Sequence, residues 1–222
     1  MPTSRSYKDA CGIARALDVV GERWALLVVR ELFLGPRRFS DLRRALPGAS
    51  SNLVADRLRE LEARGVIGRR RLAPPAGSWV YELTGWGREL EPIVLALGGW
   101  GLRVPRPPEP VALSATSVLL FLRGMAHPDP AAPATVARLE IDGGVWSARS
   151  ASGRLDITCG EPAAWDVSLR CDPATLNVLV QDPAAFGAHL ADGRVVVTGD
   201  TAALARLLES CQAGQTSATA GG

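Results

Sequence analysis

The fold is decided by residues 37–71, which read RRFSDLRRALPGASSNLVADRLRELEARGVIGRRR. The stretch holds ten arginines against four acidic residues, a surplus of six positive charges. Pro47 and Gly48 separate two short amphipathic segments, which predicts two helices joined by a tight turn. The first helix is expected to begin after an N-cap at Ser40, with Asp41 at the positive end of its dipole. A basic helix pair of this kind suits a DNA groove.

The second helix of the pair has an apolar and a polar side. Ser50 or Ser51 can cap its start, and Gly65 stands where a helix that runs to about residue 64 would end. With successive residues about 100° apart, one side packs inward through Leu53, Val54, Leu58 and Leu61. The opposite side carries Asn52, Ala55, Asp56, Arg59 and Ala63. In a major groove Asn can bond adenine and Arg guanine, while Ala or Asp can face a methyl or an amino group. On its own, however, such a side is more often simply solvated.

A β-hairpin follows the helix pair. Residues 66–72 and 79–84 are β-prone, and the APPAGS segment between them predicts a turn. Side chains alternate along a strand, so Arg69 and Arg71 point one way and Arg70 the other. At least one row of guanidinium groups can therefore reach phosphates or a narrow minor groove. A helix-turn-helix followed by such a hairpin is a winged helix.

Several short motifs occur in a fixed order along residues 8–102. They are Cys11 before the first helix, Gly21-x-x-Trp24, Arg30-Glu31-Leu32 followed by Gly35-x-x-Arg38-Phe39, Leu58-x-x-Leu61-Glu62, Tyr81-x-Leu83-Thr84 with Gly87, and Trp100-Gly101. In these motifs the segment strongly resembles the HxlR family of winged-helix transcriptional regulators. The resemblance implies a homodimer that binds a roughly palindromic operator, with the second helix of the pair in the major groove as recognition helix and the wing beside it.

The expected DNA-binding residues come from the helix pair and the hairpin. They are Arg37, Arg38, Arg43, Ser51, Asn52, Ala55, Asp56, Arg59, Arg69, Arg70, Arg71 and Ser78.

Apolar surface left over in this first domain also favours a dimer. Residues 24–34 are apolar almost all round and predict a central helix. Thr84 can cap a further helix, which Pro92 can bend and whose wide apolar stripe lies within residues 86–100. A domain of about 100 residues cannot bury this stripe together with the first helix and the central one. We expect a second copy of the chain to cover the first helix and residues 86–100; the alternative is that the second domain covers the stripe.

The second half of the chain differs in charge and composition. Residues 1–104 hold 17 basic and 11 acidic side chains, whereas residues 105–222 hold 8 and 12. The first half suits a polyanion and the second does not. We therefore expect an α+β protein with a winged helix-turn-helix domain at 1–102, a proline-rich linker at 103–111, a C-terminal domain at 112–211 and a disordered tail at 212–222.

The expected element order of the C-terminal domain is a helix, four strands, two helices, a strand and a helix. This order, with the Gly199-Asp200 turn after residues 194–198, resembles the sterol-carrier-protein fold. We expect a sandwich-like domain with a mainly antiparallel five-stranded sheet. The resemblance implies an apolar tunnel for a lipid-like effector, with Leu119, Leu122, Trp146, Trp165, Leu179 and Phe186 as expected ligand-binding residues, although most apolar residues here must be core.

Composition argues against several other classes of protein. The cysteines at 11, 159, 171 and 211 show neither metal-ligand nor disulfide-framework spacing. No nucleophile motif or glycine-rich phosphate loop occurs, so we expect neither an enzyme nor a cofactor or metal. The apolar runs are too short for a membrane span and MPTSRSYKDA is not a signal peptide, which predicts a cytoplasmic protein.

Cys11 has two possible roles. Some HxlR relatives sense oxidants through a cysteine near the first helix, and Arg15 one turn on could favour the thiolate. A small residue buried at the dimer seam is the simpler expectation.

Two further hypotheses stay open at this point. The C-terminal half could be a lipid or metabolite carrier that uses the first half only to dimerise, or a protein-interaction module without a pocket. The arginine-rich hairpin favours a DNA-binding regulator over a carrier.

Overall fold

The computed structural model describes residues 6–73, 77–105 and 112–219, and side chains of the last helix as far as Cys211. The chain forms two compact units, Met1–Ala112 and Leu113–Gly222, each described by itself below. Residues 106–111 of the expected linker and 74–76 of the hairpin turn lie outside the described residues.

The first unit begins with four helices: α1 (Gly12–Val20), α2 (Ala25–Leu32), α3 (Phe39–Ala45) and α4 (Ser51–Ala63). The hydroxyl of Ser50 accepts a hydrogen bond from the Leu53 N–H at 3.2 Å, so the expected cap of α4 is confirmed. Gly65 follows α4 at φ +75°, a backbone conformation that favours glycine. The expected cap of α3 at Ser40 is wrong by two residues. Its N-cap is Arg38, whose N–H donates to the Asp41 carboxylate at 3.1 Å.

A two-stranded antiparallel hairpin, the wing, follows α4. It consists of β1 (Ile67–Arg71) and β2 (Trp79–Leu83), with Ile67 opposite Leu83 and Arg71 opposite Trp79. A single bridge joins Arg37 to Tyr81, so the segment before α3 is pinned to the second strand of the wing.

The helix after the wing is interrupted. Thr84 caps it as expected, since its side chain accepts from the Gly87 N–H at 3.0 Å, but the helix divides into α5 (Gly85–Arg88) and α6 (Leu90–Gly101). The break lies at Glu89, three residues before Pro92. Pro92 has no N–H to bond the Arg88 carbonyl, and its ring crowds that carbonyl, which explains the position of the break.

The core of the first unit lies between α2, α3, α4 and the base of the wing. Its buried side chains include Val28, Val29, Leu32, Leu42, Leu46, Val54, Leu58, Leu61, Val66, Ile67, Val80 and Leu83. The inward side predicted for α4 is thus largely the side that packs. Among the described residues, no helix combines the length and apolar character needed to cross a membrane.

The second unit contains a five-stranded sheet and four α-helices in its described part. Its elements are α7 (Ala115–Met125), β3 (Thr135–Ile141), β4 (Gly144–Ala151), β5 (Arg154–Cys159), β6 (Val167–Cys171), α8 (Pro173–Gln181), a short 3-10 turn at Pro183–Ala185, α9 (Phe186–Ala191), β7 (Val196–Gly199) and α10 (Thr201–Thr219). The backbone of α10 runs to Thr219, past the start of the tail expected at residue 212, and the disorder of that tail stays a prediction.

The sheet has the strand order β5-β4-β3-β6-β7. Three neighbouring pairs are antiparallel, but the central pair, β3 with β6, is parallel, with Leu139 opposite Leu169. The α+β class is confirmed, and the five-stranded sheet, expected to be mainly antiparallel, is mixed, because its central pair is parallel. The connection from β3 to β6 passes through two other strands, and this topology leaves no local sequence signal.

One face of this sheet is apolar and the other polar. Ala137, Leu139 and Ile141 of β3 are buried, as are Trp146 and Ala148 of β4. Between them on β3, Arg138 and Glu140 point to the opposite face and form an ion pair at 2.8 Å. Helices α7, α8 and α10 contact one another, and α7 contacts β5 while α10 contacts β6. The unit is therefore a helical layer on a sheet.

Candidate nucleic-acid interface

Helix α4 presents a polar side next to a fully packed one. Val54, Leu58 and Leu61 are buried, while Asn52 is exposed and the Arg59 side chain is 74 % exposed. Ser51 and Ala63 are exposed as well, and Ala55 and Asp56 are half-buried. The polar side predicted from the sequence is thus accessible along the length of the helix.

Arg59 is paired within its own helix. Its guanidinium group donates to the carboxylate of Asp56 one turn earlier, and both side chains are largely accessible to solvent. Exposed pairs of this kind contribute roughly 0–1 kcal/mol to stability. Arg59 can therefore exchange this carboxylate for a base edge at small cost.

The three arginines near α3 have different environments. Arg37 is only 8 % exposed, because its backbone is paired with Tyr81, so it differs from the expectation of an accessible DNA contact. Arg38 is exposed. Arg43 is half-buried and donates to the Ala49 carbonyl, so it holds the turn between α3 and α4. The pairing partners of Arg37 and Arg43 are set by the fold and could not be inferred from local sequence.

Each arginine of the wing has a partner. Arg69 lies 3.3 Å from the Glu62 carboxylate of α4, and Arg70 lies 3.0 Å from Glu82 across the hairpin. The Arg71 Nε donates to the Gly77 carbonyl at 3.0 Å. All three arginines are exposed. The backbone carbonyl of Ser78, which was also expected to contact DNA, accepts a hydrogen bond from the Leu72 N–H at 2.9 Å. The wing is a basic hairpin whose charges are accessible but partly balanced.

Trp79 is a residue of this surface that the sequence reasoning missed. Its side chain is 54 % exposed, and the Arg69 guanidinium carbon lies 5.2 Å from its ring centroid. The available sequence signal was a large aromatic residue at the start of the strand that pairs with the arginine-rich strand of the hairpin. An exposed aromatic ring between cations suits contact with nucleic acid.

A large apolar surface is exposed elsewhere on the first unit. This apolar surface consists of residues of α1 and α6. No side chain of α6 is buried. It contains Ile13, Leu17, Ile93, Leu97 and Trp100, which are 73, 43, 59, 48 and 65 % exposed. Isolated apolar residues on a surface need no explanation, but a set of large apolar side chains exposed on two helices is typical of an interface.

The expected ligand-binding residues of the second unit are mostly ordinary core. Leu119, Leu122, Trp146 and Leu179 are at most 2 % exposed, and Phe186 is 9 % exposed. Trp165 is on the surface, at 40 %. None of the six lines the described cleft of this unit, which encloses about 290 Å³ between α10 and residues 127–135. Its lining combines the side chains of His127, Asp129, Arg206 and Glu209 with apolar ones such as Ala203 and Leu207.

Cys11 lies at the start of α1. It is exposed in the single chain and its carbonyl accepts from the Arg15 N–H at 3.0 Å. Cys171 and Cys211 are buried, and burial raises the pKa of their thiols to about 12 and about 11. Cys11 is thus the accessible thiol of the first unit, and no second cysteine exists in that half of the sequence.

Comparison with known proteins places the first unit among DNA-binding regulators. The family model described as HxlR-like helix-turn-helix matches residues 19–107. An uncharacterized HTH-type transcriptional regulator of Synechocystis sp., sll1512, is 40 % identical over 87 residues, which are 39 % of this chain and 64 % of that protein. The uncharacterized HTH-type transcriptional regulator YybR of Bacillus subtilis is 36 % identical over 94 residues, or 42 % of this chain and 75 % of YybR.

A solved structure described as redox regulator HypR in its oxidized form is also similar. It is 34 % identical, with a TM-score of 0.41, and the match covers 44 % of this chain and 100 % of HypR. The chain therefore spans just under two thirds of the Synechocystis relative and larger shares of YybR and HypR.

Proposed function

Because this chain belongs to the HxlR-like helix-turn-helix family of transcriptional regulators, we propose that it is a cytoplasmic homodimer that binds a pseudo-palindromic DNA operator. The observation that carries the proposal is the accessible polar side of α4, with Asn52 and Arg59 exposed beside the basic wing. In this proposal α4 enters the major groove, where both side chains can bond base edges. The wing contacts the flanking phosphates through Arg69, Arg70 and Arg71.

Selection of duplexes from a random library tests the proposal. The full-length protein is incubated with the library, bound duplexes are amplified and the enriched sequences are read. We expect two half-sites related by a twofold axis, about one helical turn apart, as the symmetry of a dimer requires. Binding without enrichment of any sequence would contradict the proposal.

The dimer is proposed on the exposed apolar surface of α1 and α6. A second copy of this surface is self-complementary about a twofold axis, which is the geometry that an operator with two half-sites needs. The helix breaks at Glu89, three residues before Pro92, so α6 starts separately from α5. In this proposal α6 can therefore face the partner subunit with its apolar side along its whole length. Coverage of this surface by the second unit is the alternative, and a monomer of full activity would support it.

We further propose that the second unit binds an effector that changes DNA affinity. Since five of the six expected apolar residues are buried core, we assign the effector to the cleft between α10 and residues 127–135. Arg206, His127, Asp129 and Glu209 offer partners there to a small molecule that carries charge, beside the apolar Ala203 and Leu207. Ligand binding in this unit can change DNA affinity only if the two states of the dimer bind the ligand unequally.

The effector proposal is tested with the selected operator. Small-molecule extract is separated into charged and apolar fractions, and each is added to an operator-binding titration. We expect a response to the charged fraction that Arg206→Ala removes and Arg154→Ala, an exposed arginine away from the cleft, does not. A response to the apolar fraction alone would favour the lipid-carrier fold, and no response would leave the second unit as a protein-interaction module.

A further inference from the structure

The junction between α1 and α2, residues 21–24, holds an unusual backbone conformation. Trp24 has φ +77°, in the left-handed region, immediately before α2 begins. A bulky side chain adopts this conformation rarely, and it persists where surrounding contacts hold it in place. Gly21 has an ordinary helical backbone, but a Cβ there would lie 2.5 Å from the Leu17 carbonyl oxygen, so the start of the junction has no room for a larger residue.

The Trp24 side chain reaches the turn of the helix-turn-helix pair. A Cβ built on Gly48 would lie 2.9 Å from the indole Cη2, closer than real Cβ contacts allow. The ring is therefore seated on the backbone of the turn between α3 and α4. The left-handed conformation of Trp24 is what directs its side chain to this position rather than along α2.

The same junction also contacts the recognition helix through an ion pair. The Arg57 guanidinium of α4 lies 3.2 Å from the Glu22 carboxylate and 2.8 Å from that of Glu60. The Arg57 side chain is only 11 % exposed, whereas that of Glu22 is 60 % exposed. Glu60 belongs to α4 itself, so of the two ion pairs of Arg57 the one with Glu22 ties α4 to another element.

We propose that Glu22 and Trp24 are positioning residues that set the depth and rotation of α4 for reading DNA, a role that rests on the proposed function. Trp24 fixes the start of α4 through the turn, and Glu22 fixes its middle through Arg57. Two contacts at different heights of one helix define both its tilt and its rotation about its axis. Neither residue faces the polar side that would contact bases.

The experiment compares Glu22→Gln with Glu60→Gln. Each variant removes one carboxylate from the same guanidinium and raises the net charge by one, so both should bind random DNA alike. Loss of alignment costs base contacts, so Glu22→Gln should lower the ratio of operator to random-DNA affinity by about 10-fold. Glu60→Gln should keep the wild-type ratio.

Gly48→Ala is a second and independent variant. The added methyl must displace the Trp24 ring, so the ratio should fall as it does for Glu22→Gln. Gly124→Ala, in α7 of the second unit, is its control, because a Cβ there meets nothing within 4 Å. Melting temperatures are recorded for all four variants.

The outcomes distinguish a positioning role for Glu22 and Trp24 from a merely structural one. Equal ratios in Glu22→Gln and Glu60→Gln would overturn the proposal, and so would a parallel loss of operator binding, random-DNA binding and melting temperature, which marks a merely structural role. A wild-type protein without preference for any duplex would instead overturn the proposed function, and the inference with it.

Discussion

At the scale of single residues, the Asp56 carboxylate and a DNA base edge compete for the Arg59 guanidinium on the polar side of α4. The guanidinium is held by Asp56 in the free protein, and a guanine edge would have to replace that carboxylate. Both partners are solvated, so the exchange costs little, while a bidentate bond to guanine is worth about 1–3 kcal/mol of discrimination. Arg59 is therefore a better candidate for base readout than Arg43, which is committed to a backbone carbonyl.

Asn52→Ala and Arg59→Ala should each weaken operator binding by about 1–3 kcal/mol and relax base preference at one position per half-site. Titrations on the selected operator and on its single-base variants measure both effects. Arg154→Ala, which removes an exposed charge from the second unit, is the control. Equal weakening on all sequences would show that α4 does not read bases.

Thiol reactivity should separate the cysteines. At pH 8 the thiols of Cys171 and Cys211 stay protonated, because burial raises their pKa to about 12 and about 11, and a protonated thiol is a poor nucleophile. Cys11 is exposed. Under conditions where the chain is monomeric, an alkylating reagent followed by mass spectrometry should modify Cys11 before Cys171 and Cys211, which should react only in denaturant; the half-buried Cys159 is followed separately. Modification of Cys171 in the native protein at the rate of Cys11 would contradict the burial described above.

Local capping was predictable at this scale, and tertiary pairing was not. Ser50 and Thr84 cap the helices that follow them because a hydroxyl next to a run of helix formers is a local signal. The burial of Arg37 depends on Tyr81, which lies 44 positions further along the sequence. Likewise nothing local to Trp24 indicates its left-handed backbone or the closeness of its ring to Gly48, which lies 24 positions further along the sequence.

At the scale of elements, the wing combines basic charge with acidic partners. Arg69 and Arg71 lie on the face that carries Trp79 and Tyr81, and Arg70 lies on the face of Val80. Glu62 and Glu82 lower the net charge of the wing without covering it. Contact with phosphates therefore exchanges carboxylate partners for phosphate partners.

Changing Arg69, Arg70 and Arg71 together to Ala should weaken operator and random DNA alike. The slope of log affinity against log salt concentration should become shallower by roughly one unit for each lost phosphate contact. A charge-matched control changes three exposed arginines of the second unit, Arg149, Arg154 and Arg170, to Ala. If the wing variant keeps the wild-type slope, the wing does not touch DNA.

The elements of both units were mostly predictable, and their arrangement was less so. Hydrophobic periodicity locates α4 and the strands of the second unit because each has one face inside. The sequence predicts one helix that Pro92 can bend, yet the helix divides into α5 and α6 at Glu89, next to the Arg88 carbonyl that Pro92 cannot bond. The parallel neighbours β3 and β6 could not be predicted, because pairing across two intervening strands depends on the whole sheet.

At the scale of the whole molecule, the proposed dimer has a direct test. Leu97→Asp places a charge in the apolar surface of α1 and α6, and burying it unpaired between subunits should raise the dimer Kd at least about 100-fold. Sedimentation of the full chain over a range of concentrations measures the shift. Leu190→Asp, at a similarly exposed leucine of the second unit, is the control. A Leu97→Asp protein that remains dimeric would move the interface elsewhere.

The strand order of the second unit has a consequence for synthesis of the chain. The first unit is complete after 112 residues, whereas the sheet of the second gains β7 only at Val196–Gly199. A polypeptide that ends before residue 196 would carry a finished first unit attached to β6 with its outer backbone groups unpaired. An unpaired strand edge is a template for another chain. Truncated products should therefore aggregate through their second half while their first half is still folded. The last 27 residues are thus needed to keep the chain from aggregating rather than to bind DNA.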